Sequence, residues 1–115
     1  MNDKLVALVN CANSHEAERI ARALVTERLA ACVNVHQAPV RSVYRWKGKL
    51  QSAREVPLVI KTSRRLFGRL ERRVRQLHSY QLPEIIALPI TAGSEAYLDW
   101  LEESLKPSRP KRRLE

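Results

Sequence analysis

The sequence is poor in glycine, cysteine and aromatic residues, and each shortage excludes a class of site. Three glycines in 115 residues leave no glycine-rich loop of the kind that holds phosphates or nucleotide cofactors. Two cysteines, Cys11 and Cys32, cannot build a disulfide framework. No apolar run approaches the roughly 18 residues of a membrane span. Because no nucleophile motif or cofactor fingerprint is present either, we predict neither a membrane partner nor an enzymatic reaction.

Charge and termini suggest where the protein resides and where its folded domain ends. The chain enters an apolar stretch at Leu5 without a cationic leader, which predicts a cytoplasmic protein. The formal net charge is +9, but residues 106–115 carry five bases against one acid, leaving +5 for the rest. That segment has two prolines and one apolar residue, so it cannot bury enough surface to order itself. We therefore predict one domain over residues 1–105 and a flexible basic tail over 106–115.

The central feature of the sequence is a predicted β-hairpin. Residues 40–46 are rich in β-branched and aromatic side chains, and residues 55–62 form a second such run after the turn Trp46-Lys47-Gly48-Lys49. The arms are longer than the five or six residues of an average strand. A hairpin that projects from a small domain exposes unpaired backbone groups, so it predicts a partner chain.

The remaining elements flank this hairpin. Residues 4–10 predict a buried strand, and Asn13 with Glu16 predicts the capped start of a helix at Ser14. Ser63 is predicted to cap a second helix, residues 84–90 to form the last strand, and Gly93-Ser94 to open a third helix that buries Tyr97, Leu98, Leu101 and Leu105.

The resulting order is strand, helix, strand, strand, helix, strand, helix. This predicts an α+β fold of the ferredoxin-like type, with an antiparallel sheet, a long hairpin between the second and third strands, and an extra C-terminal helix. Two helices would cover one sheet face and leave the other bare, which is a second reason to expect an oligomer.

The basic charge does not by itself predict a nucleic-acid partner. RNA-binding domains of this topology stack bases on aromatic residues of their two central strands. The corresponding runs here, residues 4–10 and 55–62, contain no aromatic residue. Arg65, Arg69 and Arg72 are at helical spacing and are interpreted as a solvated basic face. We therefore expect no specific nucleic-acid binding.

Several motifs together resemble a known family. RLAACVN (28–34), VRSVYRWKGKL (40–50), VIKT (59–62) and LHSYQLPEIIALPI (77–90) are similar to the CutA family of divalent-cation tolerance proteins. The resemblance covers everything but the tail. It implies a homotrimer whose hairpins pair with neighbouring subunits, and a role in the response to metal ions, with copper bound in some members.

The resemblance also implies metal ligands. His78 stands in the family context His-x-Tyr-x-x-Pro-Glu, completed by Tyr80, Pro83 and Glu84. The position of the family's cysteine ligand holds Val9 here, and a second histidine position holds Leu77. Cys11 lies two residues beyond Val9, on the same side of an extended strand, and can replace that cysteine.

We therefore predict a site for copper or another divalent metal at His78 and Cys11. The alternative for His78 is a role in capping the carbonyl end of its helix.

A second candidate site is a pocket between subunits for a small anionic or metal-bound ligand. Its predicted lining comprises Tyr44, Trp46, Glu55, Lys61, Tyr80 and Glu84. Ion pairs that lock the oligomer would explain the charged members equally well. The alternative function is a signalling trimer of the PII-like kind that binds an effector between its subunits.

Overall fold

One long strand connects the parts of the sheet in the computed structural model, which describes residues 3–107. The elements in chain order are β1 (Lys4–Cys11), α1 (Ser14–Thr26), β2 (Cys32–Val35), β3 (Val40–Trp46), β4 (Lys49–Ser63), α2 (Arg64–Leu77), β5 (Ile85–Pro89) and α3 (Glu95–Leu105). All pairings are antiparallel and the sheet order is β2-β4-β1-β5, with β3 also on β4. The predicted ferredoxin-like α+β fold is confirmed.

The hairpin has the predicted turn. β3 and β4 pair in register from Val40 opposite Glu55 to Trp46 opposite Lys49. The two linking residues, Lys47 and Gly48, have φ angles of 51° and 79°. Positive φ at both positions is the requirement of a two-residue type I′ turn, which matches the right-handed twist of the strands. The principal dimensions of 62 × 33 × 25 Å reflect this projecting arm.

Residues 36–39, which include Pro39, separate the strands β2 and β3. β2 pairs with the inner part of β4, from Cys32 opposite Lys61 to Val35 opposite Leu58. β3 then pairs with the outer part of the same strand. Both segments therefore pair with the same strand, β4.

The helices α1 and α2 pack on one face of the sheet. Alternate residues of β1 and β4 point to that face and are buried, as period-two geometry requires. The largest fully buried side chains of this core are Ile20, Leu24, Leu58, Ile60 and Leu70.

The opposite face, called here the outer face, presents the remaining alternate residues. Val6 lies beside Leu88, and Leu8 lies between Ile86 and Val59. Ile86 is 50% exposed and Leu88 is 53% exposed. The chain thus has an apolar outer face, as the helix arrangement predicted.

The last two elements differ from the prediction in detail. The final strand begins at Ile85, one residue after Glu84. In α3, Leu101 and Leu105 are buried against Leu66, but Tyr97 is 42% exposed. The burial predicted for Tyr97 was wrong, because its ring packs on the exposed Trp100 with a centroid separation of 5.4 Å.

Two further points concern the ends of the chain and the membrane. The helices within residues 3–107 are all too short or too polar to cross a bilayer. Residues 108–115 of the predicted basic tail lie outside the described residues, so the division of the chain at residue 105 stays a prediction.

The two predicted helix caps behave differently. Asn13 Oδ1 accepts a hydrogen bond of 2.8 Å from the Glu16 N–H, as an N-cap should. Ser63 occupies the N-cap position of α2, but its hydroxyl makes no cap bond. The Ser63 Oγ is buried and has no hydrogen-bond partner among the described residues. Ser63 was therefore placed correctly, but its capping role was wrong.

This difference predicts opposite effects of two alanine substitutions. Asn13→Ala should lower the free energy of unfolding by about 1 kcal/mol, because a cap bond is lost. Ser63→Ala should leave that free energy unchanged or raise it by up to about 1 kcal/mol, because a buried polar group without a partner is removed. Urea unfolding of both variants checks this, and a loss for Ser63→Ala as large as that for Asn13→Ala would contradict it.

Candidate metal centre and adjoining pocket

Three chain segments meet at the end of the subunit from which the hairpin projects. β1 ends there at Cys11, α1 begins there at Ser14, and α2 ends there before His78. The two predicted metal ligands, Cys11 and His78, therefore lie at the same end of the subunit.

Cys11, Glu16 and His78 form a buried cluster at this pole. Each offers one ligand atom, and these atoms lie within 4.8 Å of one another. The sequence predicted two members of this cluster but missed Glu16 as a ligand. Glu16 lies three residues after Asn13, which is the position of a capping-box glutamate. That local role was sufficient to explain Glu16, so its part in the cluster was not predicted.

The carboxylate of Glu16 ties two loops together. Its Oε2 accepts from the Ala12 N–H and its Oε1 accepts from the Ser79 N–H, both at 3.0 Å. Burial by itself would raise the pKa of Glu16, but these hydrogen bonds and the neighbouring His78 outweigh it, so the pKa lies below its ordinary value. Glu16 is thus a charged bridge between the loop before α1 and the loop after α2.

The ring of His78 is held by two backbone groups. Nε2 lies 2.7 Å from the Asn10 carbonyl oxygen, and Nδ1 accepts from the Tyr80 N–H at 3.1 Å. Because a carbonyl oxygen can only accept, the proton is on Nε2 and the lone pair is on Nδ1. Nδ1 is also 3.5 Å from Glu16 Oε2, so it faces the cluster.

The alternative role of His78 as a side-chain cap of α2 is not what the structure has. The His78 ring bonds to Asn10, on β1, and not to a carbonyl of its own helix. The Leu77 carbonyl instead accepts from Arg19 Nη2 at 2.7 Å. A cation from α1 therefore performs the capping that was considered for His78.

The donor set of the cluster fits a borderline or soft metal ion. It offers a sulfur, an imidazole nitrogen and a carboxylate oxygen, the ligands that copper and zinc accept. Burial, together with the charges of Glu16 and Glu55, raises the pKa of the Cys11 thiol to about 12. The thiol is therefore protonated at neutral pH, and a metal ion would have to displace that proton.

A pocket of about 660 Å³ adjoins the cluster. It is enclosed by β3, the facing part of β4, the end of β1 and the loop after α2. Its lining includes Tyr44, Trp46, Glu55, Tyr80 and Glu84, which are five of the six residues predicted from the sequence. They come together within one chain, and a contribution from a second subunit stays a prediction.

Lys61 is the predicted pocket residue that the structure places elsewhere. It shares a face of β4 with Glu55 but lies six residues along the strand, or about 20 Å away at the rise of an extended chain. Its Nζ contacts Asn34 Oδ1 on the neighbouring strand β2. Lys61 therefore lies outside the pocket of its own chain, and its contribution from a second subunit stays a prediction.

The electrostatics of the pocket are acidic. Its lining holds Glu55 and Glu84 and, within residues 3–107, includes no lysine or arginine. Asn10 Nδ2 donates to Glu84 at 3.0 Å. Burial and a hydrogen bond with Glu55 raise the pKa of the Tyr80 phenol to about 12. Within one chain, this acidic lining does not suit the small anionic ligand expected from the sequence.

Comparison with known proteins gives one consistent family. The family model described as the CutA1 divalent ion tolerance protein matches residues 5–104 of this chain. The divalent-cation tolerance protein CutA of Thermus thermophilus is 46% identical over 86% of this chain and 95% of its own length. The chloroplastic protein CutA of Arabidopsis thaliana is 44% identical over 89% of this chain, which spans only 56% of that relative.

A solved structure gives the same result. The periplasmic divalent cation tolerance protein CutA from Archaeoglobus fulgidus has a TM-score of 0.86 and 36% identity to this chain, over 90% of this chain and 99% of that one. The resemblance inferred from the sequence motifs is confirmed.

The cytoplasmic location predicted from the sequence is contradicted by these relatives. One is named chloroplastic and another periplasmic. Targeting is read from segments that precede or flank a domain and can be removed from it. The apolar start of a folded domain therefore carries no information about its compartment, and the prediction was wrong.

The bridging role of Glu16 predicts a pH-dependent effect of Glu16→Gln. Glutamine has one accepting oxygen for two N–H donors, so one donor stays unpaired. The variant should lose about 1–3 kcal/mol of unfolding free energy at pH 7. Because the folded pKa of Glu16 is lowered, its contribution exists above the ordinary value of 4.5 and is lost as the pH falls through the folded value.

Urea unfolding of wild type and Glu16→Gln with a chelator present, at neutral and acidic pH, measures this difference. Glu18→Gln, an exposed change on the same helix, is the matched control. A difference between wild type and Glu16→Gln that stays constant down to acidic pH would contradict the bridging role.

Proposed function

The chain belongs to the family of CutA1 divalent ion tolerance proteins, and we propose that it acts there by binding a divalent metal ion at Cys11, Glu16 and His78. Copper is the first candidate, because Cu²⁺ binds nitrogen and sulfur ligands more tightly than the other divalent metals of its row. The function is one of binding, and no step of catalysis is assigned. The names of the matched relatives describe tolerance to ions and no reaction.

The observation that carries this proposal is the convergence of three different donors in one buried space, within 4.8 Å. The orientation of His78 supports it. Histidines that bind metals usually donate their second ring N–H to a carbonyl or carboxylate, which fixes the free nitrogen toward the metal. His78 donates from Nε2 to the Asn10 carbonyl and keeps Nδ1 toward Glu16.

Metal binding would compete with one existing hydrogen bond. Nδ1 of His78 now accepts from the Tyr80 N–H, and a metal ion would need the same lone pair. Tyr80 lines the adjoining pocket. Occupancy of the metal centre would thus alter the loop that forms one wall of the pocket.

The metal site can be tested by titration of metal-free protein with Cu²⁺ and Zn²⁺ in a calorimeter at neutral pH. Cys11→Ser and His78→Ala should each weaken binding at least about tenfold, because each removes one of three ligands. Binding should also release protons, since the Cys11 thiol is protonated beforehand.

Matched controls are available within the chain. Cys32→Ser and His36→Ala remove the same chemical groups from outside the cluster and should leave binding unchanged. Thermal unfolding of each variant shows that it is folded. If Cys11→Ser and His78→Ala bind both metals as wild type does, the proposed centre is wrong.

We also propose that the protein is a homotrimer. The outer face exposes Ile86 and Leu88, and the hairpin arm exposes Val43 (63%) and Leu50 (74%). Apolar side chains along a sheet face and a projecting hairpin call for a partner surface in water. A second copy supplies a surface of the same kind, and the family resemblance implies three copies.

Native mass spectrometry tests the assembly. Wild type should give three times the chain mass of 13.2 kDa. The double substitution Ile86→Glu with Leu88→Glu should lower the mass to one chain, because it places charges on the outer face. Val25→Glu, at a residue that is 42% exposed on α1, should keep the trimer. A wild-type mass of one chain at micromolar concentration would contradict the proposal.

The signalling-trimer alternative is not favoured. The matched relatives and structures are CutA proteins, and the pocket lacks the lysine expected to hold an anionic effector.

A further inference from the structure

The pocket that adjoins the metal centre differs from an anion site, because its charged lining groups are carboxylates. Two carboxylates, Glu55 and Glu84, face it together with three aromatic side chains, Tyr44, Trp46 and Tyr80. Its volume of about 660 Å³ falls within the usual range for small-molecule sites. The metal centre does not account for this combination, because none of its three residues lines the pocket.

Glu55 is the member that most needs an explanation. It is only 8% exposed, and none of the ion pairs among residues 3–107 includes it. Its neighbour in the pocket is the hydroxyl of Tyr80. A buried carboxylate without a cation is costly, because a neutral hydrogen-bond donor replaces only part of its hydration. A ligand that brings a positive charge would complete this environment.

The aromatic residues provide the second requirement. Tyr44 and Trp46 are two residues apart on β3, so they present their rings on the same face as Glu55 on the paired strand. Tyr80 approaches from the loop after α2. The faces of aromatic rings attract cations. Lys47 Nζ lies 6.0 Å from the Trp46 ring centroid, so this ring already has a cation of its own chain at the limit of contact.

From these observations we infer that the pocket binds a small organic cation with an ammonium or guanidinium group. The cation donates N–H hydrogen bonds to Glu55 and lies against the Tyr44 and Tyr80 rings. Trp46 pairs with Lys49, six residues along β4 from Glu55, and borders the outer end of the pocket. Glu84, exposed at the rim, accepts from a second donor of the ligand. None of the three proposed metal ligands lines this pocket.

The ligand class follows from the kinds of groups present. Carboxylates that accept hydrogen bonds favour a cation with N–H groups over a quaternary ammonium ion, which offers only charge. The absence of basic residues from the lining disfavours carboxylates and phosphates.

The experiment is a calorimetric titration of the full-length protein with agmatine, tetramethylammonium and acetate, at one ionic strength and with a chelator present. Agmatine carries both an ammonium and a guanidinium group and should bind most tightly. Tetramethylammonium should bind more weakly, and acetate should not bind. Absence of agmatine binding to wild type would overturn the inference, including the case in which a side chain of another copy already fills the pocket.

Substitutions identify the site. Glu55→Gln should lower the affinity for agmatine at least about tenfold, because the ligand loses a buried charged partner. Glu95→Gln, which removes an exposed carboxylate on α3, is the matched control and should have no effect.

Glu84→Gln and Trp46→Leu provide readouts at exposed positions if Glu55→Gln does not fold, and each should weaken agmatine binding. Affinity unchanged in all the folded pocket variants would overturn the assignment. Cys11→Ser should bind agmatine as wild type does, which separates this site from the metal centre.

Discussion

The pairing of β4 along its whole length is the constraint on which the rest of the structure depends. This strand runs from Lys49 to Ser63 and hydrogen-bonds to β1, β2 and β3. Its period-two alternation sends one set of side chains under the helices and the other set to the outer face. The core, the exposed apolar face and the acidic pocket are therefore arranged along one strand. A shift of its register by one residue would exchange all of them.

The end of the subunit that holds Cys11, Glu16 and His78 depends on a second constraint. Hydrogen-bond donors and acceptors that are buried there need partners. The carboxylate of Glu16 and the ring of His78 each bond to two backbone groups, and the two groups belong to different chain segments. Buried polar groups need such partners. The same bonds place Tyr80 in the adjoining pocket, so the candidate metal centre and the candidate cation site share one supporting loop while using different side chains.

Sequence reasoning failed where a residue had a simple local role that concealed a distant one. Glu16 matched a capping box, yet its carboxylate bonds across to Ser79. Ser63 matched an N-cap, yet its hydroxyl is buried without a partner among the described residues. Local patterns give conformation and face, but they carry no measure of the distance between elements.

The sequence by itself determined the elements, their order and the two faces of the sheet. Alternating apolar residues, the Lys47-Gly48 turn and the Asn13 cap act over a few residues, so their effects can be read locally. Only the tertiary structure decided that Cys11 and His78 meet with Glu16, and that Glu55 is buried beside aromatic rings and away from any described cation. These contacts join residues that are far apart in the chain. They depend on how the helices and loops pack, which no local pattern specifies.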